Sequence, residues 1–156
     1  MTTDKCVALF KVLNEVKLTK LDDADKYLII KILKKLRPIA ENFEAYQKDA
    51  GERLKPTNWD EIIEKAQKWQ QEGEETTLTD DEKKEINLAI YTYDNSVRSC
   101  ISEELMLEHE VEYKKISEEA FEKLLASNDW DAKTALFISD EIVEEEEAEE
   151  AEEKKD

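Results

Sequence analysis

The apolar positions of the chain fall into helical stripes. Cys6, Val7, Phe10, Leu13 and Val16 recur at the i, i+3, i+4 spacing of one buried helix face. Thr3 or Asp4 is placed to cap this first helix, which the pattern carries to about Val16. After a short link, Asp22 and Asp23 suit a helix N-terminus, because free N–H groups and the helix dipole favour negative charge there. The helix they open has the strongest pattern in the chain. Ile29, Ile32, Leu36, Ile39, Phe43, Tyr46 and Ala50 are spaced 3-4-3-4-3-4, a coiled-coil seam over three heptads. Pro38 lies off the seam and is expected to bend the helix without ending it. From 23 to 50 such a helix is roughly 42 Å long at ~1.5 Å per residue, and a seam of that length needs a partner helix.

Residues 51–58 interrupt the pattern, with Pro56 as a stop. A shorter helix then carries Trp59, Ile62, Ile63, Ala66 and Trp69, and Gly73 closes it before a polar loop. Thr79 and Glu82 read as a capping box, in which each side chain satisfies the other's free backbone donor. The long helix that follows shows Ile86, Ile90, Tyr93, Val97, Cys100 or Ile101, and Leu105 on one face. It is the expected antiparallel partner of the seam, and the two together make a helical hairpin. Then the period changes. Leu107, His109, Val111 and Tyr113 alternate with Glu108, Glu110, Glu112 and Lys114, the period of two that belongs to a strand. The pattern predicts a short strand near 107–115, pairing with a second copy or another protein, or else an extended coil. The alternative is that the helix runs on to Tyr113. Ser117 caps the next helix, with Ile116 and Phe121 as a hydrophobic staple and Phe121, Leu124 and Leu125 facing inward. Asn128 or Asp129 starts a last helix, with Trp130, Leu136, Phe137, Ile138, Ile142 and Val143 apolar.

Composition narrows the fold further. Two Gly and two Pro in 156 residues cannot punctuate the many turns of a β-sandwich, and 41% charged residues suit long solvated helices. The expected fold is therefore mainly α: a long antiparallel helical hairpin with shorter packed helices, in a single helical domain over 1–143. Residues 144–156 hold eight Glu, one Asp and two Lys, a net of −7. Like charges three and four apart repel along a helix, so this stretch is expected to be a disordered acidic tail.

Charge and motifs then exclude function classes. No stretch approaches 18 uninterrupted apolar residues, so no membrane span is expected, and the N-terminus lacks the pattern of a signal peptide. Cys6 and Cys100 lie on apolar helical faces and read as buried thiols in a reducing cytoplasm. A net charge of −18 repels phosphate, and the longest basic cluster is Lys34, Lys35, Arg37, so direct binding of nucleic acid is not expected. The acids Asp22, Asp23 and Asp25 lack the glycine and final Glu of a calcium loop and read as helix-capping charge. There is no Gly-rich phosphate loop and no nucleophile elbow. His109 is the only histidine, and a general base needs a pocket and an orienting partner. No catalytic, cofactor-binding or metal-ligating residue is assigned, and the expected class is a non-enzyme. Trp69 and Trp130 have the spacing of core residues. Trp59 sits beside a loop and is the best single candidate for a contact with a partner. The candidate protein-binding residues are thus Trp59, with His109, Val111 and Tyr113 on the expected strand edge. The tail reads as a solubilising segment, as a lure for a basic partner, or as an internal shield over a basic surface.

Four features in order carry a resemblance. They are an opening helix VALFKVLNEVKL, a long helix YLIIKILKKLRPIAENFEAYQKDAG, a Glu-rich connector EELMLEHEVEYKKIS and a terminal segment EEAFEKLLASNDWDAKTALFISDEIV. In these the chain resembles a family of small acidic helical proteins encoded by tailed bacteriophages and prophages. The resemblance implies a non-enzymatic structural or assembly accessory protein that binds a virion or morphogenesis component. The host cytoplasm is its expected location, with incorporation in the virion left open, as is a homo-oligomer. The alternative is an acidic inhibitor that imitates nucleic acid and blocks a basic host DNA-binding or defence protein. That role needs rows of acids on one face, which 41–52 and 80–85 could supply.

Overall fold

Apolar spacing sets where the helices lie, and short polar side chains set where they begin. The computed structural model describes residues 1–145. Among them are six α-helices and no strand: α1 (Thr3–Asn14), α2 (Asp23–Arg53), α3 (Trp59–Glu72), α4 (Asp80–Leu105), α5 (Glu118–Ser127) and α6 (Ala132–Ile142). The mainly α fold class is the one observed. Of the expected acidic tail, Glu144 and Glu145 are exposed, and the rest lies outside the described residues.

Several helix starts follow from the sequence. Thr79 Oγ1 accepts from the Glu82 N–H at 3.2 Å, and Glu82 Oε2 accepts from the Thr79 N–H at 3.3 Å, a complete capping box. Ser117 Oγ accepts from the Ala120 N–H at 3.2 Å, and Asp22 Oδ1 from the Asp25 N–H at 2.8 Å. Gly73 ends α3 at φ +56°, a conformation that favours glycine, and a 3-10 turn over Gly73–Glu75 follows.

Other ends differ from expectation. Thr3 does not cap α1; it is already inside the helix, and its hydroxyl is bonded elsewhere. The last helix is capped by Asp131, whose Oδ1 accepts from the Thr134 N–H at 2.7 Å. Asn128 instead closes α5. Its Nδ2 donates to Leu124 O at 2.9 Å and to Lys17 O at 3.1 Å, and its Oδ1 accepts from the Lys17 N–H at 2.8 Å. An amide can serve a helix end and a distant loop together, which a carboxylate cannot. Gly51 does not break α2 either. The helix continues to Arg53, and the Gly51 carbonyl accepts from Tyr93 Oη at 2.6 Å.

The chain divides into two compact units. The first comprises Met1, Lys5–Ile39 and the chain from Glu110 onward. Its core joins Cys6, Leu9 and Leu13 of α1, Ile29, Ile32 and Leu36 of α2, Ala120 and Leu124 of α5, and Ile138 and Ile142 of α6. Leu21, Ile116 and Val143 complete it from the connections. Leu125, expected inward, is 39% exposed, whereas Leu124 is fully buried. The second unit comprises Thr2–Asp4 and Ala40–His109. Phe43, Ala50, Ile62 and Ile86 are buried in it.

The α2 seam thus serves two cores. All seven of its positions are buried or half-buried. Up to Leu36 they are closed over by α1, α5 and α6. Beyond Ala40 the partner is α4 of the same chain, and the pairing is antiparallel. Cys100 lies close enough to Tyr46 to help, after burial, in raising its hydroxyl, and Gly51 accepts from Tyr93, so the contact retreats along α4 as α2 advances. Pro38 falls where the seam changes partners, and α2 is helical through it. Pro38 removes one backbone donor there without stopping the helix.

Candidate functional site

The alternating segment keeps its two faces without becoming a strand. Residues 107–115 have no regular sheet pairing. The expected short strand is replaced by extended chain with one isolated antiparallel bridge between Glu108 and Thr2 and one parallel bridge between Ile116 and Val143. From Glu108 onward the alternation is realised: His109, Val111 and Tyr113 are half-buried, while Glu108, Glu110, Glu112 and Lys114 are exposed; Leu107, expected on the inward side, is 50% exposed. A ladder fails to form because the neighbours on offer are single residues at the ends of other elements, not another extended run.

In the second unit the Thr3 N–H donates to Leu107 O at 2.9 Å, and Thr3 Oγ1 lies 2.7 Å from His109 Nε2. A hydroxyl beside an imidazole is the first half of a nucleophile–base arrangement. Here the hydroxyl belongs to a residue only 1% exposed and also lies 3.4 Å from Leu107 O, so no substrate can approach it. The pair holds the first turn of α1 against the end of α4.

In the first unit Val111 and Tyr113 pack against the core. Tyr113 Oη donates to the Glu141 carbonyl at 3.1 Å. Burial pushes the Tyr113 hydroxyl up to about 12, and the Glu141 carboxylate adds to the shift. Ile116 N–H donates to Ile142 O at 2.8 Å, and Glu144 N–H donates to Ile116 O at 2.9 Å. Between these anchors, among the described residues, no backbone hydrogen bond ties the amides and carbonyls of 110–115 to another segment. They form an open polar edge, with Val111 and Tyr113 holding it in place from the inside.

Trp59, the fourth predicted contact residue, is half-buried at the start of α3. Its ring lies against Tyr93 with centroids 4.3 Å apart at 41°, a tilted aromatic pair. Beside it, α3 and α4 border a cleft of about 350 Å³ lined by Leu54, Pro56, Ile62, Leu88, Ala89 and Tyr93 among others. Leu88 and Tyr91 stand 66% and 68% exposed on α4. Trp59 braces Tyr93 and is not itself in the lining of this cleft. Of the lining residues the sequence marked Ile62 and Tyr93, as core, and Pro56, as a helix stop. The available signal was Leu88, an apolar residue out of phase with the Ile86, Ile90, Tyr93 stripe. Structure therefore brings Val111 and Tyr113 together on one edge and places Trp59 and His109 in separate settings within the second unit.

Local pairing thins the acidic surface. Asp49 pairs with Arg53, Glu52 with Lys55 and Glu61 with Lys65, at 3.4, 3.0 and 3.4 Å. Among the described residues no group of three or more His, Cys, Asp or Glu side chains could hold a metal ion, and no helix is long and apolar enough to cross a membrane. No protein-family model matches the chain, and no match was found among curated proteins or solved structures.

Proposed function

We propose that this chain is a non-enzymatic accessory protein of a tailed bacteriophage, a helical module that docks a structural or morphogenesis protein by strand addition at 110–115. One observation carries the reading: an extended, anchored segment whose backbone groups have no protein partner among the described residues. An added strand would exchange their water for N–H···O=C bonds in register, the mode by which sheet edges capture extended peptides. The outward row Glu110, Glu112 and Lys114 sets the partner's chemistry. Directly opposed like charges destabilise a strand pair and opposite charges stabilise it, so the favoured partner strand presents Lys or Arg facing the two glutamates. The resemblance to phage proteins supplies the context, a virion or assembly component.

The competing reading, an acidic imitation of nucleic acid, needs an uninterrupted row of carboxylates. The ion pairs at Asp49 and Glu52 weaken such a row in 41–52.

The test is capture of the partner from infected cells, followed by quantitation of the chain in purified particles. A structural component is present there in fixed copy number. In the complex, amide hydrogen exchange should slow at 110–115. Val111→Pro removes one amide donor from the edge and should abolish capture while helicity is retained. Capture that survives Val111→Pro defeats strand addition. Competition by duplex DNA, with steep loss of binding in salt, would favour the mimic instead.

A further inference from the structure

The sharpest charge anomaly lies on the N-terminal half of α2. Between Lys26 and Arg37 the sequence has five bases and no acid, in a chain of net charge −18. Tyr27, Ile30, Lys31 and Lys34 follow the i, i+3, i+4, i+7 spacing of one helix face. That face looks outward. Tyr27 is 53% and Ile30 40% exposed, while Ile29, Ile32 and Leu36 fill the core behind them. Lys31 Nζ sits 4.6 Å above the Tyr27 ring. Among the described residues Lys31, Lys34, Lys35 and Arg37 make no ion pair, although acids outnumber bases 41 to 23. A basic surface with two exposed apolar side chains, and no acid of its own within 26–37, suits an anionic occupant.

We infer that the occupant is the chain's own Glu-rich segment, 144–156, which covers the basic face of α2 as a tethered anionic strap. Three observations select it over an external polyanion. First, its net charge of −7 complements the cationic face. Second, it leaves from the same unit: the Ile116–Val143 bridge fixes its exit point, and Glu144 and Glu145 already stand exposed beyond it. Third, the tether raises its local concentration to the millimolar range, whereas a free polyanion must approach a body of its own sign. The segment is longer than the face it covers. The face from Tyr27 to Arg37 is about 15 Å long, and a segment of this length extends to about 40 Å. The strap takes no part in strand addition, so this inference stands or falls separately from the proposed function.

The test compares the full chain with a full-length variant in which the tail glutamates are replaced, E146Q, E147Q, E149Q, E150Q, E152Q and E153Q. The readout is the rate of amine acetylation at each lysine, resolved by mass spectrometry at low salt. Lys31, Lys34 and Lys35 should react about threefold or more slowly in the natural chain, with the protection lost in about 0.5 M salt. Lys48 and Lys84, both exposed and outside this face, report any general effect of the lost charge. Equal protection factors at all five lysines, or protection at Lys31, Lys34 and Lys35 that survives salt, would overturn the inference. A second arm adds a peptide of sequence 144–156, or duplex DNA, to the glutamine variant. Shifts of α2 amide resonances with the peptide, reversed by Lys34→Glu with Lys35→Glu, support the strap. Tighter binding of DNA than of the peptide overturns it by assigning the face to phosphate.

Discussion

Leu36→Ala is the most direct test of which face of α2 looks inward. Leu36 is fully buried in the first unit, among residues of α1, α5 and α6. Truncation to Ala removes three carbons, about 2.4 kcal/mol of transfer free energy at ~0.8 kcal/mol each. The unfilled space adds a cavity cost, so the total should lie near 3 kcal/mol, within the ~2–5 kcal/mol range for such changes. For a chain of this size that loss lowers the melting temperature by about 6–12 °C. Urea denaturation followed by helical circular dichroism measures it. Ile30→Ala provides the internal control: it deletes a similar side chain from the same helix, but at a position 40% exposed. Its cost should stay below about 1 kcal/mol. A Leu36→Ala cost under ~1 kcal/mol, or an Ile30→Ala cost equal to it, would refute the inward assignment of the seam.

Two further outcomes are expected. Tyr113 ionises at about 12 because burial disfavours its phenolate, so its contribution to stability is complete below the ordinary tyrosine value of ~10 and is lost as pH rises through about 12. Tyrosinate absorbance should show a late step that Tyr113→Phe removes, and a late step that persists in that variant would contradict the assignment. Thr79→Ala deletes one arm of the capping box and should cost about 1 kcal/mol in thermal unfolding; no measurable loss would show that the box is dispensable to α4.

The sequence spoke most clearly where one face of a helix must be dry. All seven seam positions from Ile29 to Ala50 are buried or half-buried, and the caps at Thr79 and Ser117 follow from hydroxyls placed where free N–H groups occur. What the spacing could not name was the neighbour. Period 3.5 says that a stripe is covered but not by what, so one seam divided between two cores looked like one seam with one partner. Thr3 and Asn128 were misjudged for a related reason. Both are good local caps, and both found partners more than a hundred residues away. On the candidate site, the alternation foretold an extended, two-faced segment over 108–114 but not the exposure of Leu107, because side-chain period depends only on local backbone. Whether a ladder forms depends on what lies alongside, and that is a tertiary fact. Trp59 was legible as a residue near a surface, but Tyr93, which its ring lies against, carries no local mark of the pairing.

The stitching of Thr3 to Leu107 and of Lys17 to Asn128 has a consequence for how the protein is made. These bonds join residues 104 and 111 positions apart. At ~5–20 residues per second a ribosome needs on the order of 5–20 s to deliver the second member after the first. Throughout that interval the nascent α1 and the early turns of α2 have only each other to cover their greasy sides. Residues 40–109 are nearly self-contained and can fold while still being translated. The unit drawn from both chain ends must therefore mature last, and that waiting period is when a chaperone or a misfolding neighbour finds its opening.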